Sequence, residues 1–207
     1  MSVHLVILCV VLAATACVAV AADLRPADIF GDNMVLQRDR DVRVWGWGEP
    51  GVAVTVRVAG REATARADCD GRWQLSLPAT PAGGPYDMSL ADDAGNTLAF
   101  ANVLFGEVWL FSGQSNAAMA VRGAASAEQA VASADMPNVR FSRGEKWVVS
   151  SPAAAPTTPA VSFFFARALH KQLDVPVGII TAARGGSPIQ AWVSRGAQAA
   201  QPTLRRE

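Results

Sequence analysis

The chain reads as an α/β protein with an amino-terminal antiparallel β-sandwich, and three observations predict it. Across residues 28–103, short alternating segments are separated by turn compositions. After Gly106 the order changes to strand, helix, strand, the grammar of a parallel sheet. Between the two lies Gly106-Glu107-Val108-Trp109-Leu110-Phe111-Ser112-Gly113-Gln114-Ser115-Asn116, an apolar run that switches abruptly to small polar residues. Apolar residues at both parities from Val108 to Phe111 predict a strand buried on both faces. The switch marks its carboxyl end, where open α/β sheets place ligands and reactive groups, so Ser115 stands where a nucleophile is expected.

A chain of 207 residues with 51% hydrophobic content is long and apolar enough to fill a core. Lys plus Arg equals Asp plus Glu at 18 each, and the basic residues are scattered without interleaved aromatics. That pattern excludes the electrostatic footprint of a nucleic-acid binder.

Residues 1–22 read as a signal peptide: an apolar run from Leu5 ends in Ala19-Val20-Ala21-Ala22, which has the A-x-A form of a cleavage site. Export to a secreted or periplasmic location follows, with no stable membrane association after cleavage. The leading region lacks Lys and Arg, so an uncleaved anchor is the alternative, and Cys17 after Ala14-Thr15-Ala16 is a weaker lipid-attachment candidate. Cys9 and Cys17 lie in this leader, which leaves Cys69 as an isolated thiol in the turn Asp68-Cys69-Asp70-Gly71.

In the β-domain, Val42-Arg43-Val44-Trp45-Gly46-Trp47, residues 52–58 and Arg72-Trp73-Gln74-Leu75-Ser76-Leu77 alternate with period two. Glu49-Pro50-Gly51, Ala59-Gly60, Asp70-Gly71, Pro81-Ala82-Gly83-Gly84-Pro85 and Asp93-Ala94-Gly95-Asn96 supply the turns. Trp45, Trp47 and Trp73 are expected in the core.

Further along, Ser126-Ala127-Glu128-Gln129 has capping-box form and predicts a short helix to about Ala134, stopped by Met136-Pro137-Asn138. Val139-Arg140-Phe141 predicts a second strand. Phe165, Leu169 and Leu173 recur at helical spacing opposite Arg167 and Lys171, which predicts an amphipathic helix ending before Pro176. Val177-Gly178-Ile179-Ile180 predicts a third buried strand. It leads into Arg184-Gly185-Gly186, and Ser187, Pro188 and Gln190 then occupy the N-cap, N1 and N3 positions of a predicted helix. Backbone N–H groups of Gly185 or Gly186 beside a helix amino terminus favour negative charge, although a plain strand-to-helix turn has the same composition. Right-handed crossovers place the Ser115 and glycine loops at one carboxyl edge of a parallel sheet.

The stretch 106–116 resembles the signature of the sialate O-acetylesterase family, a branch of the Ser-Gly-Asn-His (SGNH) hydrolases, with Phe111 where Cys is usual. Ile29-Phe30-Gly31-Asp32-Asn33-Met34-Val35-Leu36-Gln37-Arg38, Val44-Trp45-Gly46-Trp47, Asp70-Gly71-Arg72-Trp73 and Ala82-Gly83-Gly84-Pro85-Tyr86 resemble its amino-terminal β-domain. Val175-Pro176-Val177-Gly178-Ile179-Ile180 and Gly185-Gly186-Ser187-Pro188-Ile189-Gln190-Ala191-Trp192 resemble its second block, with Arg184 replacing a frequent Trp.

The resemblance implies a β-domain over 23–104 and the front of an SGNH-type, flavodoxin-like three-layer sheet over 105–207. It implies hydrolysis of acetyl esters on sugars or glycans, without metal or organic cofactor. Ser115 would be the nucleophile and an oxyanion donor, Gly185 or Gly186 a second donor, and Gln114 and Asn116 substrate contacts. The family's later Gly-x-Asn and Asp-x-x-His blocks have no counterpart, because no His, Asp or Asn follows Gly186. His170, near the end of the amphipathic helix, is read as structural. The general base is thus absent, the chain alone is expected to be nearly inactive, and a carboxyl-terminal half is an expected partner. The alternative is a non-catalytic glycan- or domain-binding module.

Overall fold

The computed structural model describes residues 24–201 except Glu145, and of Arg143 only the backbone. The leader reading over 1–22 lies outside the described residues. In the β-domain, β1 (Arg25–Pro26), β3 (Val42–Trp47) and β6 (Arg72–Leu77) form an antiparallel three-stranded sheet, and β2 (Val35–Gln37) lies between β1 and β3 in sequence. A second sheet takes β4 (Ala53–Val58), β5 (Arg61–Arg66), β7 (Gly83–Asp92) and β8 (Thr97–Gly113). Val44, Leu75 and Leu77 from the first sheet and Val54, Val56, Met88, Leu90 and Phe105 from the second share one buried core. Period-two alternation produces this, since every second side chain points to the same face.

Turn chemistry fixes the register. Ala59 and Gly60 both have positive φ, 50° and 72°, and Val58 pairs with Arg61 across a two-residue turn. At Asp68-Cys69-Asp70-Gly71, the Asp68 carboxylate accepts from the backbone N–H groups of Asp70 and Arg72 at 2.9 and 2.8 Å.

The long strand β8 crosses position 104 without interruption. Its first half pairs with β7 up to Phe105, and its second half, from Glu107 to Gly113, pairs in parallel with β11 (Val177–Ala183). Gly106 sits between the two regimes. A Cβ there would strike the Pro176 carbonyl, while the neighbouring Glu107 N–H donates to that same oxygen at 2.8 Å. Only glycine lets β8 pass that close to the entry of β11.

The second half of the chain adds α1 (Ser115–Ala118), α2 (Ala127–Ala132), β9 (Met136–Arg143), β10 (Lys146–Ser150), α3 (Ala160–Leu173) and, after β11, α4 (Arg195–Ala200). Strands β9, β11 and β8 run parallel in the order β9-β11-β8, and β10 closes the β9 edge in antiparallel fashion. One mixed sheet therefore runs from β10 through the three parallel strands into the antiparallel β-domain. A second core, with Val139, Phe141, Phe163, Ala166, Val177 and Ile179, forms between this sheet and helices α2 and α3.

Several local expectations are corrected. Ser126 makes no side-chain cap to α2, and the hydroxyl of Ser133 instead donates back to Gln129 O at 2.9 Å. Met136 and Pro137 open β9 and do not merely terminate α2. Helix α3 centres its buried face on Phe163 and Ala166, while Leu173 is 40% exposed. The guanidinium of Arg167 lies 5.8 and 5.0 Å from the ring centres of Phe163 and Phe164, which turns that side of the helix into a cation–π contact. Trp73 is buried, but Trp45 and Trp47 are 38% and 36% exposed, because strict alternation aims Val42, Val44 and Gly46 inward and the tryptophans outward. The predicted two-sided burial of 108–111 also fails. Trp109 and Phe111 meet Phe165 of α3 edge to face, whereas Leu110 on the opposite face is 65% exposed.

The halves are joined by the segment 29–38. Strand β2 pairs in parallel with Leu104–Gly106 of β8, Trp147 Nε1 donates to Ile29 O at 2.8 Å, and Arg38 bonds Glu107 at 2.8 Å. Arg140 of β9 is buried and binds Pro137 O, Asn33 O and the side-chain oxygens of Asn33 and Asn102. It makes no ion pair among the described residues, and burial holds its pKa below the usual guanidinium value. Neutral carbonyls in place of a carboxylate satisfy its donors.

Gly106→Ala is expected to cost about 2 kcal/mol, the scale of core overpacking, as measured by urea unfolding. Arg140→Leu, which strands the carbonyls of Asn33 and Pro137, is expected to cost about 1–3 kcal/mol in the same assay.

Candidate active site

At the carboxyl ends of β8 and β11 the register aligns Ser112 with Ala182 and Gly113 with Ala183. The pairing extends one step further, since the Arg184 N–H donates to Gly113 O at 2.9 Å. The loops that follow the two strands therefore leave the sheet side by side, as the strand–helix–strand order predicts. Gly113, with φ of 146°, lets the chain turn sharply, and Ser115 begins the single-turn helix α1 with Gln114 at its N-cap.

Ser115 is exposed and its hydroxyl makes no hydrogen bond among the described residues. Gln114 and Asn116 flank it, also exposed. At the start of a helix the first N–H groups have no intrahelical acceptor, so the amides of Ser115 and Asn116 are free of the helix ladder.

Of the two glycines after β11, Gly185 is the one beside the serine. A Cβ built on it would lie 3.8 Å from Ser115 Cβ and 3.9 Å from Ser115 Cα, whereas one on Gly186 would meet nothing within 4 Å. Gly186 has φ of 74° and provides the turn.

The predicted helix start at Ser187 is corrected. Ser187 donates its hydroxyl back to Arg184 O at 2.8 Å and accepts from Trp192 Nε1 at 2.9 Å. Residues 189–192 form one 3₁₀ turn with Pro188 at its N-cap, and the next α-helix waits until Ser194, whose hydroxyl accepts from Ala197 N at 3.2 Å. Competition from local side-chain-to-backbone bonds is the physical reason. Gly185 is thus held by a hydrogen-bonded loop rather than by a long helix dipole.

The electrostatics of the two loops are one-sided. Residues 108–127 and 175–201 contain no Asp or Glu but carry Arg122, Arg184 and Arg195. Negative charge placed beside Ser115 would meet no carboxylate from these segments.

His170 is elsewhere. Its Nδ1 lies 2.7 Å from Val175 O, at the amino end of β11, so the strand from Val177 to Ala183 separates it from the serine. At the usual strand rise that is about 20 Å. Among the described residues no group of His, Cys, Asp and Glu could hold a metal. Cys69 is an exposed free thiol in its turn. No helix among the described residues is long and apolar enough to cross a membrane.

A family model described as carbohydrate esterase, sialic acid-specific acetylesterase, matches residues 105–206, the half that contains both loops. The sialate O-acetylesterases of Pongo abelii and Mus musculus are each 30% identical, over 208 and 203 residues. The chain resembles the sialate O-acetylesterase family. The matches cover 82% and 83% of this chain but 39% and 38% of those proteins, so it spans about two fifths of the length of the curated relatives it matches. A crystal structure of a carbohydrate acetylesterase from Xanthomonas citri aligns with a TM-score of 0.77 at 36% identity, covering 87% of this chain and 45% of that one. The segment described here resembles the amino-terminal part of such proteins.

The two loop glycines separate experimentally. Gly113→Ala forces a side chain into a strained φ and against Ala117, and a loss of about 1–2 kcal/mol in chemical denaturation is expected. Gly185→Ala fits the available space and is expected to stay within about 0.5 kcal/mol of the parent.

Proposed function

We propose that this chain carries the nucleophile-bearing part of a serine-dependent carbohydrate O-acetylesterase acting on acetyl esters of sugars. The observation that carries the reading is the adjacency of Ser115 and Gly185 across the carboxyl ends of two parallel strands. The Ser115 hydroxyl attacks the acetyl carbonyl, and the negative charge that develops on its oxygen is met by the N–H groups of Ser115 and Gly185. Collapse expels the sugar hydroxyl and leaves an acetyl-serine, which water hydrolyses to acetate. Gln114 and Asn116 border the serine and contact the sugar. The parallel strands β9, β11 and β8 are read as the front of an SGNH-type sheet.

Attack requires a group to take the serine proton, and none of the described residues is placed for it. His170 lies at the wrong end of β11, and the resemblance assigns the base to an Asp-x-x-His block. This 207-residue chain by itself is therefore proposed to be nearly inactive. The exposure of Ser115, Gln114, Asn116, Gly185 and Gly186 supports the same reading, because an acyl-transfer site works when walled off from water. We further propose export by the segment 1–22, and a sugar or glycan ester as substrate.

The test is acetate release from an O-acetylated glycan by a polypeptide that joins this chain to a family Asp-x-x-His block. Ser115→Ala in that polypeptide is expected to lower kcat by roughly 10⁴- to 10⁶-fold. Equal rates with Ser and Ala at position 115 overturn the assignment.

A further inference from the structure

The outward face of the sheet β1-β3-β6 is not used by the esterase chemistry, and its composition is unusual. Trp45 and Trp47 occupy successive outward positions of the central strand, both more than one-third exposed. At the usual rise their Cα atoms stand about 7 Å apart on one line. Neither ring is loose. Trp45 meets Phe30 edge to face at 5.0 Å, and the Arg25 guanidinium lies 4.7 Å from the centre of the Trp47 ring.

The register supplies polar neighbours. Arg25 and Arg72 pair with Trp47 from either side, and Gln74 pairs with Trp45. One step further, Arg43 pairs with Ser76. All these side chains are exposed, and none of the three arginines makes an ion pair among the described residues. No carboxylate stands at an outward position of the three strands. Acids stand only beyond the strand ends, at Asp28, Asp41, Glu49, Asp68 and Asp70, and the carboxylates of Asp41 and Asp68 are engaged by backbone N–H groups of Ala79, Asp70 and Arg72.

We infer that this face binds a glycan chain that carries carboxylates. Tryptophan faces accept the C–H faces of pyranose rings, two on one line suit a chain better than a single sugar, and the arginines select anionic over neutral residues. Rings already held by Phe30 and Arg25 lose little freedom on binding. Charge complementarity commits the surface to an acidic polysaccharide rather than a neutral one. The face belongs to the β-domain, so the site is separate from the Ser115 loop and its readout is independent of turnover.

The experiment is calorimetric titration of the intact 207-residue chain with polygalacturonate and with cellohexaose. Binding of polygalacturonate that weakens as salt rises is expected, with about a tenfold loss in Trp47→Ala and in Trp45→Ala. Arg72→Gln is expected to lower polygalacturonate affinity several-fold, and circular dichroism confirms that each exposed-site variant keeps its fold. Absence of polygalacturonate binding at millimolar sugar overturns the inference. So does cellohexaose bound as tightly, or binding unaltered in the double tryptophan variant. A dimer in sedimentation that Trp47→Ala dissolves also overturns it, in favour of a second copy of the chain on this face.

Discussion

Of the described glycines, Gly106 has the least room for a side chain, because the Pro176 carbonyl lies against it, and the register of the site depends on that contact. Strand β8 spends its first half as a member of the antiparallel β-domain and its second half as a strand of the parallel sheet. Such a change of partner brings a new strand in at the point where the old one leaves. Two backbones must cross there with no room for a Cβ. Because the Glu107 N–H bonds the same carbonyl, the register of β11 against β8 is set at that one place. From there the parallel ladder carries the register to the carboxyl ends, where it decides which residue after β11 faces Ser115.

The segment 29–38 serves the same geometry from the other side of β8. Its hydrophobic residues Phe30, Met34, Val35 and Leu36 are buried in the first core, and its backbone extends the sheet beside Leu104 and Phe105. The Gln37 side chain then accepts the Val108 N–H at 3.0 Å. Beyond that residue no described strand covers this edge of β8. Arg140 completes the joint, a buried cation satisfied by carbonyl oxygens from the turn at Asn33 and from Asn102 within β8, both at positive φ. Desolvating a guanidinium is costly, and the charge is kept where its donors fasten a turn and a strand of the β-domain to an inner strand of the sheet.

The site is built on rigid elements and left open above them. Hydrogen bonds among Arg184, Ser187 and Trp192 shape the glycine loop, and the α1 turn shapes the serine loop. Neither depends on a long helix. The exposed Leu110 and the half-exposed Trp109 belong to the strand that delivers Ser115, so the apolar character of 108–111 answers to more than the neighbours described.

Much of this was legible in the residues. Alternation in 42–47, 52–58 and 72–77 gives strands whose side chains sort onto two opposite faces, because side-chain direction along a strand follows from the backbone alone. The switch from apolar to small polar residues at Ser112 and the strand–helix–strand order were enough to bring the Ser115 and Gly185 loops to one edge. What the residues left open was decided by long-range contacts. Whether Trp45 and Trp47 lie in a core or on a surface depends on which side of β3 the second sheet packs. A capping-box pattern at Ser126 and a helix start at Ser187 are local preferences, and each yielded to a competing hydrogen bond. Gly185 and Gly186 are indistinguishable by composition, and only the ladder anchored at Gly106 and Pro176 turns one of them toward the serine. Sequence by itself determined most of the strands, their order and the place of Ser115 just past the end of an apolar strand, since these follow from local sterics and patterning. Tertiary structure decided which glycine is the serine's neighbour and which histidine is not, because distances across a sheet are set by register.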